Sequence, residues 1–156
     1  MTSNTNVGQE LLTSQLYDEN TFYKAFLNDL EKCEEEVIIE SPFITSVRTR
    51  MFLPIFEKLL NRNVTIYIVT RDPFEHKDEF IDQAEIEISN FERLGIQTLL
   101  CLGNHHRKLA IVDRNVLWEG SLNILSQARS REIMRRISGE STARQMLEFL
   151  KLDRFL

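Results

Sequence analysis

The hydrophobic positions along this chain change their spacing several times, and the changes predict helices alternating with strands. Residues 21–33 place apolar side chains on one side of a helix, at Phe22, Tyr23, Phe26, Leu27 and Leu30. Residues 37–39 then form a short β-branched run that predicts a buried strand. Helices follow at about residues 48–60 and 78–94 and strands at 64–70 and 96–101, an alternation typical of βαβ units with parallel strands.

The pattern changes after Gly103. Two apolar runs, at residues 109–112 and 116–118, are separated by only three residues, a spacing that predicts a hairpin. Residues 131–137 alternate as a last strand does, and residues 140–152 form a closing helix. The polar residues 1–20 are expected to be partly disordered, apart from a short turn at 11–17. We therefore predict one α/β domain over residues 21–156, with a mixed, mostly parallel sheet flanked by helices.

Length and composition fit one compact domain, since the chain has 156 residues of which 42% are hydrophobic. The two cysteines, Cys33 and Cys101, form neither a CxxC pair nor a disulfide framework, and we interpret them as reduced buried thiols. The chain lacks the pattern of a secretion signal and any run of about eighteen apolar residues. These features predict a soluble, cytoplasmic protein that does not bind a membrane.

The net charge of −5 hides an uneven distribution along the chain. Residues 1–102 carry 9 Lys/Arg and 18 Asp/Glu, whereas residues 103–136 carry 7 and 3. Screening limits charge interactions to about 10 Å at ordinary salt, so a local basic surface can attract a polyanion on an acidic protein. Ordinary unevenness of solvated charge is the alternative interpretation.

The most informative stretch is residues 106–113, which reads HxKx4D and is followed by Gly120-Ser121-Leu122-Asn123. From the composition, HxKx4D is expected by chance only about 0.005 times in a chain of this length. His106 and Lys108 are two apart, so on a strand they project to the same face. With a two-residue turn at Arg114-Asn115, paired residue numbers sum to 229, which places Asn123 opposite His106 and Ser121 opposite Lys108.

Such a face suits a phosphodiester. An ammonium and an amide can hold the non-bridging oxygens while a neutral imidazole attacks phosphorus, and no cluster of metal carboxylates is required. We expect Asp113 to support the turn rather than touch substrate and Glu132 to fix the tautomer of the imidazole. The catalytic prediction comprises His106, Lys108, Asn123, Glu132 and Asp113, with Ser121, Gly120, Arg135 and Arg136 binding substrate and no metal or other cofactor.

These residues resemble the HKD motif of the phospholipase D superfamily, whose usual form is HxKx4D followed by GS or GG and an Asn. The resemblance implies an α/β sandwich and a reaction through a phosphohistidine. It implies that His106 is the nucleophile or general acid and that Lys108 and Asn123 bind the phosphate. It also implies that Ser121 assists in that binding and that Glu132 pairs with the histidine. Members with one motif per chain assemble as dimers in which two motifs share one active site.

The segment 118–123 is also similar to phospholipase D-type domains attached to helicase-like proteins, so a helicase-like polypeptide is a further candidate partner. Three functions are open on the sequence. The first is a metal-independent nuclease acting on DNA or RNA. The second is a phospholipid headgroup hydrolase or transferase, and the third is a nucleic-acid-binding accessory domain of a helicase or restriction system with little activity alone.

Overall fold

The computed structural model describes residues 5–156, with side chains described everywhere except at residues 5–7 and 78–80. The helices of this described part are α1 (Thr5–Leu12), α2 (Phe22–Glu31), α3 (Ser46–Asn61), α4 (Asp78–Leu94) and α5 (Glu140–Phe149). The strands are β1 (Gln15–Asp18), β2 (Glu36–Glu40), β3 (Thr65–Arg71), β4 (Gln97–Cys101), β5 (Leu109–Val112), β6 (Val116–Gly120) and β7 (Ile133–Ser138). Short 3-10 turns cover Pro73–Glu75 and Leu152–Phe155.

The strands form one seven-stranded sheet in the order β1-β7-β6-β5-β2-β3-β4. The predicted βαβ alternation is present, because α3 and α4 connect β2, β3 and β4, which lie parallel to one another. Gly95 ends α4 in a left-handed conformation (φ 96°), and the N–H of Ile96 donates to the carbonyl of Phe91. A glycine adopts that conformation without steric cost, which is why the helix stops there.

The α/β sandwich is confirmed, but the prediction of a mostly parallel sheet is wrong. Only two of the six strand pairs are parallel. After β4 the chain returns through β5, β6 and β7, whose connections include a short hairpin, and such connections require antiparallel neighbours. β5 lies antiparallel to β2, so the parallel and antiparallel halves of the sheet meet between those two strands.

The N-terminal segment differs from the expectation of partial disorder. Residues 5–12 are helical, and residues 15–18 form the edge strand β1, paired with β7 from Gln15 opposite Arg136 to Asp18 opposite Ile133. Residues 1–4 of that expectation lie outside the described residues. An edge strand needs backbone hydrogen bonds more than an apolar face, so its polar sequence gives little hydrophobic signal.

Helices cover both faces of the sheet. Helices α2, α3 and α4 pack on one face against the larger core cluster, which contains Phe22, Phe52 and the fully buried Trp118. Helix α5 and the turn at Leu152–Phe155 cover the other face, where Leu147 and Leu152 pack on Ile111 and Leu117. Within residues 5–156 no helix is both long and apolar enough to cross a bilayer.

Candidate active site

His106 and Lys108 lie in an irregular segment just before β5, and not on a strand as predicted, because β5 begins at Leu109. Leu109 pairs with Glu40, the last residue of the parallel strand β2. The segment therefore lies at the edge where β2 and β3 end. Ligands of α/β sheets commonly bind at this carboxyl edge, because the loops that follow parallel strands converge there.

The ammonium of Lys108 contacts the ring of His106. Its Nζ lies 2.9 Å from Nδ1 and 3.4 Å from Nε2, and it donates to the main-chain carbonyl of His106 over 2.7 Å. The positive charge of Lys108, with a smaller effect from desolvation, lowers the pKa of His106. Desolvation in turn lowers the pKa of Lys108, against the opposing effect of Glu132. The lowered pKa favours the neutral form of this exposed imidazole, the form with a lone pair for attack.

The hairpin register differs from the prediction by one residue. Leu109 pairs with Glu119 and Val112 with Val116, so paired numbers sum to 228 and three residues lie between the strands. The N–H of Asn115 donates to the carbonyl of Val112 over 3.0 Å. The two residues inside that turn, Asp113 and Arg114, have positive φ, whereas the prediction placed the turn at Arg114 and Asn115.

Strand β6 ends at Gly120, so Ser121 and Asn123 are placed by the following loop and not by the strand alternation. The Ser121 hydroxyl accepts from the N–H of Ile133 over 3.1 Å. It shares an open groove of about 720 Å³ with His106 and Lys108. Ser121 therefore lines the groove with His106 and Lys108 despite the register change. It lies beyond the end of β6, so the alternation of side chains along that strand does not decide which way it points.

Asn123 lies in an adjoining cleft of about 30 Å³ together with Glu132 and Ser130, and is not directly opposite His106 as predicted. Its side-chain Oδ1 is buried and has no hydrogen-bond partner among the described residues. Glu132, which lines the same cleft, acts on Lys108 through its charge.

Glu132 contacts the serines and not the imidazole. The hydroxyls of Ser121 and Ser130 lower its pKa, and Ser130 donates to Oε1 over 2.6 Å. The prediction that Glu132 pairs with His106 to fix the tautomer is therefore wrong for this arrangement, in which Nδ1 faces Lys108. Glu132 instead supplies a negative charge that favours the protonated form of Lys108.

Asp113 lies at the opposite end of β5 from His106, on the hairpin turn. Its carboxylate accepts from the N–H groups of Glu34, Glu35 and Glu36 over 2.8–3.1 Å and from the Cys33 thiol over 3.3 Å. These contacts tie the hairpin to the start of β2. Asp113 lies seven positions after His106, a span of roughly 20 Å in extended chain, so its place in the catalytic set is corrected to a structural one.

Gly120 and the two arginines of the binding prediction have other contacts. A Cβ on Gly120 would lie 2.1 Å from the carbonyl oxygen of Ile133, so a glycine is needed for the neighbouring strand to approach, and Gly120 also lines the groove. Arg136 is bound to the buried carboxylate of Asp29 over 2.8 and 2.9 Å, so its prediction as a substrate-binding residue is wrong. Arg135 points to the other face, lines the groove and donates to the Ser14 hydroxyl.

The sequence reasoning missed Glu40. Its side chain is fully buried at the end of β2, with His105 Nε2 3.0 Å and Arg107 Nη2 3.3 Å from the same oxygen. Those two residues flank His106 in the sequence, so one buried carboxylate holds the segment on which His106 and Lys108 are presented. A charged residue directly after the apolar run 37–39 was the signal available in the sequence.

Two ring side chains from other loops, Phe43 and His76, also lie near the motif and were not predicted from the sequence. The ring centroid of Phe43 lies 6.4 Å from that of His106 and 5.0 Å from that of the buried His76. Desolvation lowers the pKa of His76, so its ring is neutral. The described residues contain no cluster of three or more His, Cys, Asp or Glu side chains that could hold a metal ion.

Comparison with known proteins places the chain in a family. Residues 26–153 match the sequence profile described as "Cardiolipin synthase, PLD-like domain", which covers most of the chain. No curated protein sequence matches significantly. The chain therefore belongs to the phospholipase D-like family, as the HxKx4D and GSxN motifs indicated.

Solved structures share the fold at low sequence identity. Nuc, a phospholipase D family member from Salmonella typhimurium, superposes with a TM-score of 0.72 at 16% identity, covering 92% of this chain and 93% of that one. NucT from Helicobacter pylori gives 0.68 at 15%, covering 89% and 93%. Phosphatidylserine synthase from Haemophilus influenzae Rd KW20 gives 0.67 at 12%, covering 90% of this chain but 37% of that one.

Proposed function

We propose that this protein is a metal-independent phosphodiesterase that cleaves DNA or RNA through a phosphohistidine at His106. The observation that carries the proposal is the contact between the Lys108 ammonium and a neutral imidazole, 2.9 Å apart, at an open groove. The family supports phosphodiester chemistry. The choice of nucleic acid as substrate is supported by the basic charge of residues 103–136 and by the basic side chain of Arg71.

The chemistry follows from the groups present. Lys108 moves from the imidazole to the bound phosphate, and Asn123 with Ser121 orients the non-bridging oxygens. A ring nitrogen of His106 bonds to phosphorus as the bond from phosphorus to the leaving oxygen breaks, and an acid protonates that oxygen. Water then attacks the phosphohistidine and releases the histidine.

The reaction also needs an acid that protonates the leaving oxygen. The single motif of this chain supplies only one histidine, which already acts as the nucleophile. His105 faces the buried Glu40, and His76 is 9% exposed and packed on Phe43, so neither side chain reaches the groove. We assign the acid to His106 of a second copy, in a homodimer with one shared site. The groove beside the motif exposes apolar side chains that a second copy could cover: Leu16 (64%), Ile133 (65%) and Phe149 (80%).

A phospholipid headgroup enzyme is the second candidate, and the same apolar surface favours it. Leu16, Ile133 and Phe149 adjoin His106 and Lys108, where acyl chains of a lipid diester would lie. The phosphatidylserine synthase named above shares the fold, which alone decides no substrate. An accessory role beside a helicase-like polypeptide is less well supported, because a binding module needs no imidazole next to Lys108.

The decisive test incubates purified protein with single- and double-stranded DNA and RNA, with phospholipid vesicles and with bis(4-nitrophenyl) phosphate, each with and without EDTA. We expect cleavage of a nucleic acid that survives EDTA and is abolished in His106→Ala and Lys108→Ala. Exposed Arg93→Gln on α4 is the matched surface control. Activity lost in EDTA and restored by Mg²⁺, or headgroup release from vesicles alone, would overturn the proposal.

The shared site has a separate test. Wild-type and His106→Ala chains are unfolded together, mixed equally and refolded, which produces random pairs if the protein is a dimer. Activity should fall to about a quarter of the wild-type value, since only pairs with both histidines work. A value of one half would mean independent sites, and an active monomer would remove the dimer from the proposal.

A further inference from the structure

Arg71 is a basic residue near the motif that the motif itself does not include. It is the last residue of β3, at the sheet edge where His106 also lies. Its Cζ is 6.0 Å from the ring centroid of Phe43, and that centroid is 6.4 Å from the ring of His106. Arg71 and His106 therefore lie within about 12 Å of each other, the sum of those two distances.

The charge of Arg71 has no acidic partner in the part of the chain whose side chains are described. Among the described side chains no carboxylate oxygen lies within 4 Å of its guanidinium. The nearby Asp72 and Glu75 accept from main-chain N–H groups of the adjoining loops instead, over 3.0 and 3.2 Å. Nη2 of Arg71 donates to Asn104 Oδ1 over 2.6 Å, while its Nε is buried without a hydrogen-bond partner.

We propose that Arg71 binds the phosphate neighbouring the scissile one, so that the site takes a strand with successive phosphodiesters. A half-buried guanidinium without a carboxylate partner among the described side chains, at a ligand-binding edge, is suited to phosphate oxygens, which its terminal N–H groups can bind. Because a nucleic acid repeats its phosphodiester all along the strand and most lipid headgroups carry only one, the inference names nucleic acid as the substrate class. It rests on the proposed function for the place of the scissile phosphate at His106.

Electrostatics agree with this position. The charge of Arg71 contributes, after larger effects, to the lowered pKa values of His106 and of His76. Arg71, at the end of β3, and Lys108, just before β5, therefore both act on the same imidazole. Two cations near the histidine at one edge of the sheet suit consecutive phosphates.

A structural role for Arg71 has to be separated from a binding role, because its bond to Asn104 also holds the loop that leads to His106. Asn104 has a left-handed backbone (φ 56°), so Asn104→Gly removes the side chain without adding strain. That variant loses the loop contact and keeps the guanidinium. Arg71→Gln loses both, and the difference between them measures the charge.

The experiment measures binding with the non-cleaving His106→Ala protein, so that it does not depend on turnover. A short labelled thymidine strand is titrated at several salt concentrations, and unlabelled thymidine oligomers with one or two phosphodiesters compete. The gain in affinity from the second phosphodiester should fall about tenfold with Arg71→Gln. The slope of log K against log salt should become shallower by about 0.7, the value for one phosphate contact on a single strand.

The outcomes separate this inference from the proposed function. Asn104→Gly should keep the wild-type salt slope; if it reproduces the Arg71→Gln slope, Arg71 only anchors the loop and the inference is overturned. The inference is also overturned if Arg71→Gln leaves the gain in affinity from the second phosphodiester unchanged. Binding that depends on Arg71 and occurs with anionic vesicles but not with oligomers would overturn it as well. If no phosphodiester is cleaved, but the salt slope of binding and the affinity gained from the second phosphodiester both depend on Arg71, the proposed enzymatic function is refuted and the phosphate-binding site is supported.

Discussion

Replacing Arg136 should destabilise the fold, because this arginine neutralises a carboxylate inside it. Its Nε and Nη2 donate to the two oxygens of Asp29, which is 7% exposed, over 2.8 and 2.9 Å. The indole of Trp118 donates to Oδ2 of the same carboxylate over 2.8 Å. Asp29 thus accepts from three donors, two on Arg136 and one on Trp118. Arg136→Ala would remove the first two and leave only the indole.

Removing one partner of a buried ion pair typically costs about 3–5 kcal/mol. The Arg136 side chain is 24% exposed, so water can partly hydrate Asp29 in the variant and we expect a loss of about 2–4 kcal/mol. For a chain of this size that corresponds to a fall in Tm of roughly 5–15 °C. The neighbouring Arg135→Ala is the control, with an expected loss under about 1 kcal/mol.

Urea unfolding followed by tryptophan fluorescence measures this directly, because Trp118 is the chain's one tryptophan and belongs to the network. Asp29→Asn combined with Arg136→Met should cost less than the sum of the two single changes, since the double variant leaves no unpaired charge. A loss below about 1 kcal/mol in Arg136→Ala, or equal losses at both arginines, would refute the reasoning.

Three further predictions test other parts of the structure. Asp113→Asn should lower the free energy of unfolding by about 1–3 kcal/mol, because a carboxylate accepting three N–H groups is weakened, while cleavage per folded molecule stays within about twofold. Gly120→Ala should cost about 1–3 kcal/mol in urea unfolding, since its Cβ would meet the main-chain oxygen of Ile133 at 2.1 Å; a neutral change would contradict that contact. The imidazole of His106, followed by NMR, should lose its proton at a pH below its ordinary pKa, and Lys108→Met should raise that pKa because the neighbouring positive charge is gone; no rise would contradict the contact between them.

The sequence predicted the helices and strands well where hydrophobic periodicity is strong. Helix α4 begins and ends where its pattern and Gly95 placed it, and the strands β2 to β5 lie within a residue or two of the predicted ones. The edge strand β1 was missed because its stability comes from backbone pairing with β7, which leaves little trace in side-chain pattern. Periodicity reports which face of an element is buried and not which strand lies beside it, so the mostly antiparallel sheet was not predicted.

The sequence by itself also determined which side chains lie at the centre of the candidate site, because HxKx4D and GSxN are local patterns whose residues His106, Lys108 and Ser121 line one groove. Only the tertiary structure decided the partners of the remaining side chains. Arg136 meets Asp29 across 107 residues, and Arg71 meets Asn104 across 33. Such contacts depend on strand order, register and loop course, which arise when distant segments pack together, and nearness in sequence to a motif carries no information about them.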